Sequence, residues 1–363
     1  MSALYLGLIS GTSADGIDAA LVSFEPELRI IATSTTPYSA GLRDRVLALA
    51  TSNATIMLDD YGHLDVELGA AFAAAASQLL RETGVNASAI GSHGQTVCHR
   101  PNGNHPFSLQ IGDPSVIAEQ TGIITVADFR RADVAAGGQG APLLPALHAA
   151  IFADAEMPRA VLNLGGIANI TVLAPGHDVL GFDTGPANCL LDAWATRHLG
   201  TPRDEDGAWA RSGRVDATLL TRWLTDPYFA AAPPKSTGRE VFNLDWLVAR
   251  LPGDLAPADV QATLLAFSAR SIADALRAHG RSAREVYACG GGVHNTALMD
   301  ALRAELVGVR LDTTAALSVD PDYVEAIGFA WLARARLTGE PGNLPAVTGA
   351  RGPRLLGAIY SPP

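Results

Sequence analysis

Cysteine is scarce. Cys98, Cys189 and Cys289 are the only three in 363 residues, an odd number set far apart. That argues against a disulfide framework and fits reduced thiols in a cytosolic protein. Neither Cys-x-x-Cys nor His-Glu-x-x-His occurs, so nothing supports a zinc site. Basic charge is also short: 26 Lys and Arg stand against 37 Asp and Glu, a formal net charge of −11. Nonspecific binding to nucleic acid or an anionic membrane is therefore not expected. No apolar run nears the ~20 residues that cross a bilayer. The first residues enter a strand with neither a basic region nor a cleavage signal, and a cytoplasmic protein is expected. Three phosphate-binding signatures are missing too: the P-loop, a Gly-x-Gly-x-x-Gly opening a βαβ unit, and the protein-kinase set.

What is present is a compact globular composition, with 48% hydrophobic and 17% charged residues and length enough for two domains. The chain is organised around Leu4–Phe24, which reads strand, polar turn, strand. Leu4, Leu6, Leu8 and then Ala20, Val22, Phe24 alternate with their neighbours, as paired strands require. The turn, Gly11-Thr12-Ser13-Ala14-Asp15-Gly16 with Ile17 and Asp18 following, offers glycines, hydroxyls and two carboxylates. Its backbone N–H groups can cradle phosphate, and Asp15 or Asp18 can hold Mg²⁺ or its water. An ordinary hairpin loop has the same composition.

A second unit of that layout, Ala160–Leu173, carries Gly165-Gly166. Further on, Glu285–Cys289 reads as a strand that Gly290-Gly291-Gly292 turns into a helix. Two matching hairpin turns and a strand–glycine–helix unit point to a nucleotide held between two domains. Elsewhere, the spacing predicts a helix over 65–82, a strand end at 90–97 bearing His93, Gln95 and Thr96, and a helix over 321–337 with Glu325 in its first turn. The small-residue loop 130–142 reads as a hinge and ligand wall. Loop 233–240, Pro-Pro-Lys-Ser-Thr-Gly-Arg-Glu, reads as a surface loop near the cleft. Asp183 ends the strand 179–185 before a Gly185-Pro186 turn. It could deprotonate a water or sugar hydroxyl, or it could cap the helix over 187–199.

GLISGTSADGIDAALV, SHGQTVCHRP, QIGDPSVIA, ADFRRADVAAGGQGAPL, NLGGIANIT, GFDTGPAN and CGGGVHN occur in that order. Together they resemble the anhydro-N-acetylmuramic acid kinases of the hexokinase–actin–chaperone ATPase superfamily, from about residue 4 to about residue 336. The resemblance implies an α/β, two-domain actin-like ATPase (ribonuclease H-like) fold with mixed five-stranded sheets and a deep interdomain cleft. It implies ATP and Mg²⁺, a small sugar substrate and a homodimer. The reaction implied opens a 1,6-anhydro sugar with water and phosphorylates its 6-oxygen in cell-wall recycling. Asp183 falls on the catalytic aspartate, and Gly11–Asp18 on the nucleotide turn, with Gly165, Gly166 and Gly290–Gly292 assigned to ATP as well. Arg130 and Glu325 are expected at the sugar, and His93, Gln95 and Thr96 are placed there with them. The chain departs from the family pattern at Ala14 and Ala187, both small and beside, not in place of, reactive groups. The expected domains are 1–133 and 134–345, with a tail 346–363 packing back on the first. A kinase of another sugar or small carboxylate, or a non-kinase ATP-driven module, are the alternatives.

Overall fold

The computed structural model describes residues 2–11, 13–49, 54–253 and 255–363. Its strands, in chain order, are β1 (Tyr5–Ser10), β2 (Gly16–Ser23), β3 (Arg29–Pro37), β4 (Ala89–Arg100), β5 (Phe107–Ile111) and β6 (Thr125–Ala127). Then come β7 (Arg159–Leu164), β8 (Ile167–Leu173), β9 (Leu180–Pro186), β10 (Glu285–Cys289), β11 (Arg310–Thr313) and β12 (Ala358–Tyr360). They fall into two compact units, Met1–Leu147 with Tyr323–Pro363, and His148–Asp322. The breaks expected at 133/134 and 345/346 are thus drawn at 147/148 and 322/323. The reason is the helix Val324–Thr338, which packs on β1 and β4 and so returns to the first unit. Hydrophobic periodicity marks that helix as buried without saying which sheet buries it.

The two sheets repeat one topology. In the first, the antiparallel meander β1–β2–β3 has β4 and then β6 added parallel on the far side of β1. In the second, β7–β8–β9 is the meander, and β10 and β11 are the parallel additions beside β7. The second sheet has the five mixed strands expected. The first has seven: β5 folds back antiparallel on β4, and β12 pairs antiparallel with β6. Both extras are short, and β12 lies in a Gly/Pro-rich tail that carries no alternation signal.

Side-chain alternation sets the layers. On β1, Leu6 and Leu8 are fully buried with Ile17, Leu21, Phe72 and Leu79, beneath the helix Leu58–Thr83. Gly7 points to the opposite face. A Cβ there would collide with the Ala326 carbonyl oxygen, and one at Gly91 with that of Phe329. Gly7 and Gly91 are register partners across β1 and β4. Two adjacent side-chain-free positions thus form the seat of the helix Val324–Thr338. In the second unit, Leu162, Leu164, Ile170 and Val172 pack against Ile272 of the helix Pro257–His279 and Leu298 of the helix Thr296–Glu305. An aromatic cluster of Trp223, Phe242, Trp246 and Phe267 lies beside Leu190 and Trp194.

The glycine seat yields a stability prediction. Gly91→Ala should destabilise by about 1–3 kcal/mol or more, because backbone must move to admit the methyl group. Gly62→Ala should stabilise by about 0.5–1 kcal/mol. Gly62 lies exposed inside the helix Leu58–Thr83, with nothing within 4 Å of an added Cβ. Urea denaturation of both variants decides: equal, small shifts would remove the special status of Gly91.

Candidate active site

In the first unit, the β1–β2 turn is fixed from three sides. The Ala14 N–H donates to the Gly11 carbonyl at 3.1 Å. Gln95 of β4 donates its Nε2 to the same carbonyl at 3.1 Å. Arg43, on the helix Ala40–Leu49, donates to the Ser13 carbonyl at 3.3 Å and pairs with the Asp15 carboxylate at 3.0 Å. Gly11 itself is open, with Ser13 Oγ, at 3.9 Å, the nearest atom to an added Cβ. Among the described residues no neighbour demands glycine there, whereas close approach of a ligand would.

Other members of the turn serve the fold. Ala14, at φ 51°, is fully buried among Leu42, Val46, Leu64 and Leu68. Its N–H is already spent, so it has no side chain or donor to give a ligand. Ile17 is a core residue of β2. Gly16 is glycine because a Cβ would lie 2.5 Å from the Thr36 carbonyl oxygen of β3. Thr12 lies outside the described residues. Asp18 accepts a 2.7 Å hydrogen bond from the Thr35 hydroxyl. With that proton committed, the Tyr323 hydroxyl, 3.2 Å away, donates to Thr35 Oγ1. Tyr323 immediately precedes the helix that carries the half-buried Glu325, so Asp18 and the start of that helix share one network. Strand register alone, which pairs Asp18 with Thr35, could have flagged Thr35; Tyr323 had no sequence signal.

Arg130 is clamped. Its Nε and Nη2 donate to His93 Nε2 at 3.1 and 2.9 Å, and its Nη1 donates to the Gly140 carbonyl at 2.7 Å. His93 therefore accepts through Nε2 and donates Nδ1–H to the Gly94 carbonyl at 3.0 Å. Both ring nitrogens are used within the chain, and His93 supports Arg130. Burial, then the Arg130 guanidinium, holds the His93 pKa well below the usual imidazole value. Gly140 is held in turn by Asp133, a fully buried carboxylate whose Oδ2 accepts from the Gly140 N–H at 2.7 Å. Asp133 Oδ1 accepts from Asn343 at 2.6 Å and Thr348 at 2.7 Å, which ties the Arg130 loop to the C-terminal segment. Gln95 likewise supports the turn, with its Oε1 buried and unpartnered. Thr96 lies on the β4–β5 ladder, where its hydroxyl accepts from Gln110 at 3.1 Å. His99, on the same ladder, is brought down to about 4 by burial, then by Arg130 and Arg100.

In the second unit the glycine loops converge on the end of β7. Asn188 donates its Nδ2 to the Gly165 carbonyl at 2.8 Å, and the Ala187 and Cys189 N–H groups both donate to the Gly166 carbonyl at 3.0 Å. Gly290, at φ 80°, and Gly292 pack on Asn163, Leu164 and Asn188, where a Cβ would clash. Gly291 is open, with nothing within 4 Å of an added Cβ. Asp183, on β9 opposite Asn169, does not cap the following helix; the N-cap of Cys189–Leu199 is Asn188. Loop 233–240 holds it instead. The Thr237 N–H donates to Asp183 Oδ2 at 2.9 Å, the Asp183 N–H donates to the Lys235 carbonyl at 3.2 Å, and the Tyr228 hydroxyl donates to the Asp183 carbonyl at 2.6 Å. Lys235 Nζ donates to the Tyr228 carbonyl at 3.0 Å and lies 4.6 Å from the Tyr228 ring centroid. Burial lowers the Lys235 pKa, and the Asp183 charge opposes that shift. A half-buried carboxylate held by a backbone N–H and set near an ammonium group is equipped for general-base work.

Among the described residues no three His, Cys, Asp or Glu side chains group as a metal cage. Mg²⁺ bound with a nucleotide needs only one or two carboxylates beside phosphate oxygens. Asp18 fits that role, its carboxylate held by Thr35. Asp15 fits it less well, because its carboxylate pairs with Arg43.

The family model described as anhydro-N-acetylmuramic acid kinase matches residues 3–362. A relative of that name from Xanthomonas oryzae pv. oryzae is 56% identical, covering 99% of this chain and 97% of its own length. One from Xylella fastidiosa is 53% identical, covering 98% and 96%. Among solved structures, a ROK family glucokinase from Streptomyces griseus in complex with glucose and AMPPNP is 16% identical, covering 91% of this chain and 99% of its own, at a TM-score of 0.40.

The buried imidazoles set a pH dependence. His93 lies well below its usual value, and burial takes His148 down to about 3. In the unfolded chain both titrate near 6.5. Below that pH the unfolded state binds more protons, so stability is present above pH 6.5 and is lost as pH falls. Each histidine should contribute about 1.4 kcal/mol per pH unit. Urea midpoints at pH 7.5, 6.5 and 5.5 should be flat at first and then fall. His148→Leu should remove one proton from the slope. Constant stability down to pH 5.5 would show that these rings are not held neutral.

Proposed function

The chain belongs to the anhydro-N-acetylmuramic acid kinase family, and from that premise we propose that Asp183 is the general base of its reaction. The enzyme is an ATP-dependent kinase that opens the 1,6-anhydro ring of its sugar with water and phosphorylates the 6-oxygen. The product is N-acetylmuramate 6-phosphate, in peptidoglycan recycling. The observation that carries the assignment is the anchoring of Asp183 at both its carboxylate and its backbone by residues 228–237.

Asp183 takes a proton from water as the water oxygen bonds to the anomeric carbon. The bond from that carbon to the 6-oxygen breaks, and its electron pair stays on the 6-oxygen. That oxygen attacks the γ-phosphorus of ATP, and the bond to the bridging oxygen of ADP breaks. One carboxylate can serve both events because the ether oxygen is leaving group and nucleophile in turn. Gly11, Ser13, Asp15 and Asp18 are assigned to the nucleotide, as are Gly165, Gly166 and Gly291. Arg130, Thr96 and Glu325 are assigned to the sugar, with His93 and Gln95 supporting them. Mg²⁺ would be held at Asp18 and would neutralise phosphate charge. No helix among the described residues is long and apolar enough to cross a membrane, and none of the three cysteines is in a disulfide. These features support the reading of a cytoplasmic enzyme, for which the family resemblance implies a homodimer.

Asp183→Asn should lower kcat by ~10²–10⁴-fold. The thermal midpoint and the affinities for ATP and sugar should stay close to those of the parent enzyme. Asparagine keeps an oxygen for the Thr237 N–H but cannot take a proton. ATP turnover assayed with and without the anhydro sugar checks this: near-normal sugar-dependent turnover in the variant removes Asp183 from the chemistry. Turnover indifferent to the sugar in the parent enzyme would point to an ATP-driven module instead.

A further inference from the structure

Loop 233–240 does more than hold Asp183. Two residues beyond Thr237, the guanidinium of Arg239 comes to the Gly165–Gly166 turn. Its Nε and Nη2 each lie 3.0 Å from the point a Gly166 Cβ would occupy. The missing side chain at Gly166 is what admits it. Arg239 is exposed, and among the described residues no carbonyl or carboxylate accepts a hydrogen bond from it. Neighbouring acidic groups are otherwise placed: the Glu240 carboxylate lies against Gly238, and the Asp226 carboxylate takes the Arg250 guanidinium at 3.4 Å. The Cys189 thiol beside Arg239 is pushed up to about 12 by burial and offers no negative charge. A guanidinium brought to a glycine turn with no ion-pair partner among the described residues can take an anion.

We propose that Arg239 is a phosphate ligand for ATP at the Gly165–Gly166 turn. The inference rests on the reading of that turn as part of the nucleotide site. Its fork can give two parallel N–H donors to phosphate oxygens, which a lysine cannot reproduce. The sugar also carries an anion, its carboxylate, so the test must separate the two.

Calorimetry on the full chain gives the dissociation constants of a non-hydrolysable ATP analogue and of the anhydro sugar. Arg239→Gln should weaken the analogue by roughly 10- to 100-fold, the range for a lost charged hydrogen bond, with the sugar unaffected. Arg239→Lys should fall between. Gly166→Ala, which crowds the guanidinium, should weaken the analogue through Arg239, so its effect should shrink in the Arg239→Gln background. Arg239 is exposed, so the thermal midpoint should not move. Unchanged analogue affinity in Arg239→Gln overturns the proposal, as does a loss confined to the sugar. Gly291→Val separates the two levels of failure. If it weakens the analogue while Arg239→Gln does not, the nucleotide reading survives and the role of Arg239 fails; if neither does, the reading fails with it.

Discussion

The first unit depends on the bare backbone at Gly7 and Gly91. Strand alternation sends Leu6 and Leu8 to one side of β1 and leaves the other side without a side chain at Gly7. Because Gly91 is its partner on β4, the gap spans two strands, wide enough for a helix backbone. Once the helix Val324–Thr338 is seated there, its backbone lies directly against the two strands. Phe329 then lies 4.5 Å from the His93 ring, centroid to centroid, and Tyr323 reaches Thr35 and hence Asp18. Site geometry in this unit is therefore inherited from packing in which no site residue takes part.

Support for the reactive groups comes mainly from neutral donors and acceptors. Asp133 is fully buried with three hydrogen bonds from an amide, a hydroxyl and a backbone N–H. Arg130 is held by an uncharged imidazole and a carbonyl. Asp183 is held by a backbone N–H. Such partners fix the direction of each group, and at Asp183 the Lys235 ammonium adds a nearby charge.

Much of this was legible in the sequence, and the illegible part has a physical cause. Glycines and acids at strand ends announced the turns at Gly11, Gly165 and Gly290 and singled out Asp183, because few other residues tolerate those positions. Composition did not reveal that Ala14 and Ile17 face the core, that Gly16 yields to Thr36, or that His93 and Gln95 brace their neighbours. Each of those outcomes is decided by a residue distant in sequence: Leu64 and Leu68, Thr36, Arg130, Gly11. The same holds for loop 233–240, whose lack of helix or strand pattern hid contacts with Asp183 and Gly166. The extra strands β5 and β12, and the return of the helix Val324–Thr338 to the first sheet, were likewise tertiary facts.

That return has a consequence for synthesis on the ribosome. The second unit, His148–Asp322, is contiguous and can complete its core as soon as it has emerged. The first unit cannot, since its covering helix and β12 are translated after the second unit. At roughly 5–20 residues per second, the nascent N-terminal hairpin waits on the order of ten seconds or more with one face of β1 and β4 uncovered. The usual order, in which the N-terminal part of a chain finishes first, is inverted here. During that interval the nascent chain presents an apolar sheet face, the kind of surface that holdase chaperones shield.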